Sequence, residues 1–242
     1  MAAWAVHFYT ASGAALALVA LVATVRGEIA GAFACLFVAV VVDATDGTLA
    51  RLARVKEVLP GFDGAKLDDI VDFLTFVVVP LFMLVETGIL AGPAGEAVAA
   101  CAVVASAYRF CRDDAKTEDH FFTGFPSYWN IVALYLFVFD ADPVVATVIV
   151  GTLALLVFAP LRFIYPSRTR WLRGWSIGLG VIWALLVAAV LWRLPERATA
   201  IATISLIYPA WYTGASFYLD WRTRRRGVSA SGRTARPSDS GE

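Results

Sequence analysis

Eight mainly apolar stretches, each near the length of a membrane-crossing helix, follow one another between residues 10 and 219. A bilayer core about 30 Å thick is crossed by about 20 apolar residues in a helix. The stretches run Thr10–Val25, Ala30–Arg51, Leu67–Val85, Pro93–Tyr108, Ser127–Phe139, Pro143–Leu161, Leu172–Leu191 and Ala198–Leu219, with Ser127–Phe139 the shortest. Breakers and charges separate them, among them Arg26-Gly27-Glu28, Pro60-Gly61, Gly92-Pro93 and a polar run from Arg109 to Thr123. Apolar residues make up 60% of the chain and charged ones 17%. A soluble domain carries roughly 45–50% and 25%, so the apolar surplus calls for a cover of lipid. The expected fold is all-α, a polytopic integral membrane helical bundle of about eight transmembrane helices.

The first stretch lacks a basic segment ahead of it and is followed by others of its kind, so it reads as a span and not as a cleaved signal. Lys and Arg alternate in density along the loops. Seventeen of the twenty fall on one side, in the loops at 52–66, 109–126 and 162–171, at their flanking span ends and after residue 220; Arg26, Arg193 and Arg197 fall on the other. The positive-inside rule then puts both termini and these loops in the cytosol of a multi-pass cell-membrane protein. Residues 1–226 read as one membrane domain, and 227–242, rich in Ser, Arg, Gly and Pro, as a disordered cytosolic tail. Trp221 with the arginines at 222–226 reads as an interfacial anchor. Twenty basic and twenty acidic residues give a net charge of zero, which argues against a nucleic-acid partner. Cys35, Cys101 and Cys111 have no metal-type spacing and read as buried thiols.

Four carboxylates stand where lipid makes them costly. Asp43 and Asp46 follow the run 33–42, and Asp68 and Asp72 lead into the run 70–85. One such group costs about 2.5–3.5 kcal/mol at mid-membrane, and four together repel one another. A bound cation compensates both effects. Asp43, Asp46, Gly47 and Ala50 fall at i, i+3, i+4 and i+7, and Gly64, Asp68 and Asp72 recur every four residues, so each set shares a helix face. A short loop makes the two helices antiparallel, which lets the acidic faces meet. Oxygen ligands without His or Cys select Mn²⁺ or Mg²⁺ over Zn²⁺, and such ions commonly bridge phosphate groups. Gly47, Ala50 and Gly64 leave room for a ligand near the backbone, and Arg51 offers a cation to a phosphate.

In order, these residues spell Asp43-x2-Asp46-Gly47-x2-Ala50-Arg51-x12-Gly64-x3-Asp68-x3-Asp72. The pattern resembles the signature of the CDP-alcohol phosphotransferases, membrane enzymes in which an alcohol displaces CMP from a CDP-linked donor. The interval between Arg51 and Gly64 is longer here than in most of that family and is similar to its choline-using bacterial branch. Further stretches resemble that branch: Ala3-Trp4-Ala5-Val6-His7, Thr10-Ala11-Ser12-Gly13, the run 62–72, and Phe121 to Asn130. The resemblance implies transfer of a phosphatidyl group from CDP-diacylglycerol to choline, giving phosphatidylcholine and CMP, with Mn²⁺ or Mg²⁺ as cofactor. It implies Asp43, Asp46, Asp68 and Asp72 as metal ligands, Asp72 also as the catalytic base, and Gly47, Ala50, Arg51 and Gly64 as the CDP-binding residues. Membrane lipids are expected around the chain, and the family resemblance implies a homodimer.

Choline carries a quaternary ammonium that aromatic faces attract. Phe122, Tyr128 and Trp129, in an aromatic-dense stretch that enters a span, are the expected choline-binding residues, with Trp4, Phe8 or Tyr9 as further candidates. An interfacial aromatic belt gives the same density. His7 and His120 read as interfacial polar groups. Two other readings fit part of the pattern. A family member could take serine, glycerol phosphate or inositol phosphate, with Arg109 and Arg112 as recruits for a phosphate. A cation transporter also needs intramembrane acids, but spread across the membrane depth.

Overall fold

The computed structural model describes residues 1–112, 121–123, 125–159, 162–164, 173–194, 196 and 198–216. It is helical apart from one short ribbon. Helix α1 (Ala2–Val25) and helix α2 (Ile29–Leu52) form a hairpin whose turn uses Gly27 at φ 75°, a value that a residue with a Cβ rarely adopts. Both have 24 residues, about 36 Å of helix, and both are long and apolar enough to cross a bilayer.

The interval after Arg51 is ordered. Arg54 turns the chain in the left-handed region (φ 47°), and the short helix α3 (Val55–Val58) buries Val55. The Asp63 side chain then caps helix α4 (Gly64–Asp72) by accepting from the Lys66 amide at 3.0 Å. Next comes a π-helical stretch, Phe73–Val78, and then helix α5 (Val79–Glu86). Pro80 has no amide hydrogen to continue the α ladder, consistent with a change of helix type just before it. The expected span Leu67–Val85 is therefore a rod in three parts that starts at Gly64.

Helix α6 (Gly92–Phe110) leads to strand β1 (Phe121–Thr123), and helices α7 (Trp129–Val138) and α8 (Pro143–Leu156) precede strand β2 (Arg162–Ile164). The strands pair antiparallel, Phe122 opposite Phe163, a single short ribbon in a fold that is otherwise helical as expected among the described residues. Helix α9 (Arg173–Trp192) and helix α10 (Thr199–Ser205) follow, with a further helical stretch over 207–216. Helices α7 and α8, at 10 and 14 residues, are shorter than the stretches from which they were expected. Residues 217–242, which hold the expected anchor and tail, lie outside the described residues, as does His120.

Helix α5 lies at the centre. Val79, Pro80, Leu81, Met83 and Leu84 are all buried, and α1, α6 and α7 pack around it. Two expectations are corrected. Cys101 and Cys111 are exposed, on outward positions of α6 and just after it, and Cys35 is half-buried. His7 is buried at 6% exposure and not interfacial; its ring packs on Phe62 (centroids 4.3 Å) and against the edge of Trp4 (6.0 Å).

Candidate active site

The i, i+3, i+4 spacing on α2 and the i, i+4 spacing on α4 bring the acids together as the sequence predicts. One carboxylate oxygen from each of Asp43, Asp68 and Asp72 lies within 4.8 Å of the others. All three side chains are half-buried. Asp46 is next to Asp68 but more deeply placed, 7% exposed, and its Oδ2 accepts a hydrogen bond from Thr10 Oγ1 at 2.8 Å. A similar tie, Tyr9 hydroxyl to Thr45 Oγ1 at 2.8 Å, joins α1 to the same turn of α2.

The donors are all carboxylate oxygens, and their spread is comparable with the roughly 4 Å between opposite ligands of an octahedral Mg²⁺. Such a set fits a hard divalent cation, and without one it would hold several like charges at close range in a partly desolvated place. Asp43, Asp68 and Asp72, with Asp46 beside them, are therefore the residues that could hold a metal.

Gly47, Ala50 and Arg51 lie on the last two turns of α2 beside this cluster. Gly47 and Arg51 are exposed. Arg51 Nη2 donates to Thr48 Oγ1 at 2.9 Å, and a Cβ placed on Gly47 would come within 3.6 Å of Nη1, so the guanidinium folds back over the glycine. Gly64 answers a tighter demand. A Cβ there would stand 2.7 Å from Cε1 of His7 and 3.3 Å from Nδ1. Gly13 is similar, its added Cβ falling 2.5 Å from Val71 Cγ1. Helix α1 thus lies hard against α4 at two levels, and Thr10 sits between them in sequence.

The aromatic candidates separate. Phe122 is on β1. Tyr128 caps α7, half-buried, its ring 6.1 Å from that of Phe76, which stands four residues after Asp72. The buried Arg109 guanidinium lies near Tyr128 and Tyr212. Trp129 has no exposed surface; its Nε1 donates to the buried Ser106 Oγ at 2.8 Å, and Phe125 packs edge-on at 5.1 Å. That is the setting of a core side chain. Phe8 is exposed on α1, and Trp4 is partly exposed with its ring against His7 and Phe62 (5.5 Å).

Sequence reasoning placed the four acids, but not the contribution of α1. The signal was there in His7, Thr10 and Gly13, polar or small residues spaced three apart on one face of an otherwise apolar helix.

No protein-family profile matches the chain. Individual relatives do. The phosphatidylcholine synthase of Legionella pneumophila is 38% identical over 224 residues, covering 90% of this chain and 88% of that protein. That of Pseudomonas aeruginosa is 34% identical over 226 residues, covering 92% of each. That of Borreliella burgdorferi is 33% identical over 226 residues, covering 93% of this chain and 97% of its own. At these identities, sustained over most of both partners, the chain belongs to the phosphatidylcholine synthase family.

Proposed function

We propose that this protein makes phosphatidylcholine, by transfer of the phosphatidyl group from CDP-diacylglycerol to choline with release of CMP. The observation that carries the proposal is near-full-length similarity to proteins named phosphatidylcholine synthase. The meeting of Asp43, Asp68 and Asp72 across two helices supports it with a place for the chemistry.

In this reading Asp43, Asp46, Asp68 and Asp72 hold Mn²⁺ or Mg²⁺. When bound, the ion neutralises charge on the diphosphate and so favours departure of CMP. The protein's own residues do the rest. Gly47, Ala50 and Gly64 admit the CDP moiety close to the backbone, and the Arg51 guanidinium leaves Thr48 for a phosphate oxygen. The Asp72 carboxylate accepts the hydroxyl proton of choline. The choline oxygen then forms its bond to the phosphorus of the phosphatidyl group, and the bond from that phosphorus to the bridging oxygen breaks, leaving with CMP.

The setting of the site is part of the proposal. About eight membrane spans, with both termini and the acidic cluster on the cytosolic side, let the nucleotide enter from the cytosol while the acyl chains stay in the leaflet. Several helices are short, and local thinning of the bilayer, flanking segments and helix association make up the difference. Homodimerisation and surrounding lipid complete the arrangement.

Release of CMP from CDP-diacylglycerol, measured with a panel of alcohols and with or without chelator, tests the function. Choline-dependent, chelator-sensitive CMP is expected. Release driven by serine or glycerol phosphate instead would move the chain to another acceptor, and no release with any alcohol would remove the activity.

For choline we propose a site walled by Tyr128, with Phe122 of β1 as a second candidate. The Arg109 guanidinium near Tyr128 repels a second cation, which disfavours the ammonium on its own side of that ring. Trp129, enclosed by the core, then serves to seat α7. Tyr128→Ala is expected to raise the choline KM about fivefold or more, from loss of a cation–π contact of about 1 kcal/mol or more, with the KM for CDP-diacylglycerol little changed. An unchanged choline KM would take Tyr128 out of the pocket.

A further inference from the structure

Asp46 is unlike the other three acids. It stands outside the group whose oxygens converge within 4.8 Å, and its Oδ2 is engaged by Thr10 of α1. Thr10 is 6% exposed and Asp46 7%, so water does not compete for this bond. A threonine hydroxyl has a single proton to give. Its other acceptor, the Val6 carbonyl one turn back, is 3.4 Å away against 2.8 Å for the carboxylate oxygen. The shorter, charge-assisted bond takes the proton. The height of Thr10 is itself fixed, because three residues before it His7 abuts Gly64 and three residues after it Gly13 abuts Val71.

We infer that Thr10 is a positioning residue for the acidic centre: its hydroxyl pins Oδ2 of Asp46 to α1, fixing the rotation of that carboxylate where it meets Asp68. The inference rests on the metal-binding reading of the cluster. It makes α1, which carries no acid of its own, the third wall of the site. Partners that orient a ligand in this way are commonly worth 10–100-fold in metal affinity.

The test is a titration of full-length protein in detergent micelles with MnCl2 and no substrate, free Mn²⁺ being read by electron paramagnetic resonance. Thr10→Val, close in shape but without the hydroxyl, is expected to weaken Mn²⁺ binding about 10- to 100-fold. Thr10→Ser, which restores a hydroxyl, is expected to bind Mn²⁺ close to the wild-type level. In an Asp46→Ala background Thr10→Val is expected to add no further loss, since the group it orients is gone.

Wild-type affinity in Thr10→Val, or an equal loss in the Asp46→Ala background, overturns the positioning role while leaving the metal centre in place. A wild-type protein that binds no Mn²⁺ and releases CMP regardless of chelator overturns the metal centre and the role of Thr10 with it. Should Thr10→Val fail to fold, Thr10→Ala takes its place in the same cycle with the same outcomes.

Discussion

Asp72→Asn is expected to lower choline-dependent CMP release about 10²–10⁴-fold, the usual worth of a positioned general base. The amide has nearly the size and shape of the carboxylate, so the end of α4 and its passage into the π-helical stretch are expected to stay as they are. What is lost is the capacity to accept the choline proton and one negative charge at the point where three carboxylates converge. The two losses separate in measurement. Mn²⁺ titration reports the charge, and single-turnover CMP release at saturating Mn²⁺ reports the base. A variant that turns over at the wild-type rate would end the role of Asp72 as base, whatever its effect on the metal.

Gly64→Ala is expected to be nearly as damaging by a different route. The added methyl meets the buried His7 ring at 2.7 Å, and Phe62 at 4.3 Å and Trp4 at 6.0 Å hem that ring in on two sides. Overpacking of this kind costs about 1–3 kcal/mol. If α1 instead moves off α4, the packing that holds Asp68 and Asp72 against the acids of α2 is lost and the acidic cluster loosens. Thermal unfolding in detergent should show a lower midpoint, and CMP release should fall with it. Removing the obstacle provides the check: His7→Ala in the Gly64→Ala background is expected to recover part of the midpoint. No recovery would mean that Gly64 is required for the backbone itself or for the substrate and not for its fit with His7.

The acidic centre was legible because its signal is local. Asp43 and Asp46 share a face of α2, Asp68 and Asp72 share a face of α4, and a short connection leaves two helices little choice but to run antiparallel. The part played by α1 is non-local. A Thr in an apolar helix bonds to its own backbone as readily as to a distant carboxylate, and only the docking of α1 on both α2 and α4 decides between them. The twelve residues from 52 to 63 could not be traced from sequence either, since one turn of helix and a left-handed Arg54 leave no periodic pattern.

Aromatic density misleads for a related reason. Trp129 and Tyr128 are neighbours in sequence, but one is sealed in the core against Ser106 and the other is half-buried at the helix start. Adjacent positions on a helix point about 100° apart, and composition does not report direction. Lengths of apolar runs were likewise a blunt guide. The run Pro143–Leu161 contains a 14-residue helix, and Ala198–Leu219 holds α10 with a separate helical stretch after it.

The rod that carries Asp68 and Asp72 has two mechanically different ends. Its α5 end is clamped on all sides by the core, whereas on its α4 end Val71 is the buried residue. Between them lies the π-helical stretch, where the i→i+4 ladder gives way to wider turns. A joint at that place sets the working tip apart from the anchored shaft. Yet Thr75, Phe76 and Val77 are buried within it, and Phe76 and Val77 belong to the same core cluster as Leu81, Met83 and Leu84, so the joint ties the position of the carboxylates to the packing of the interior.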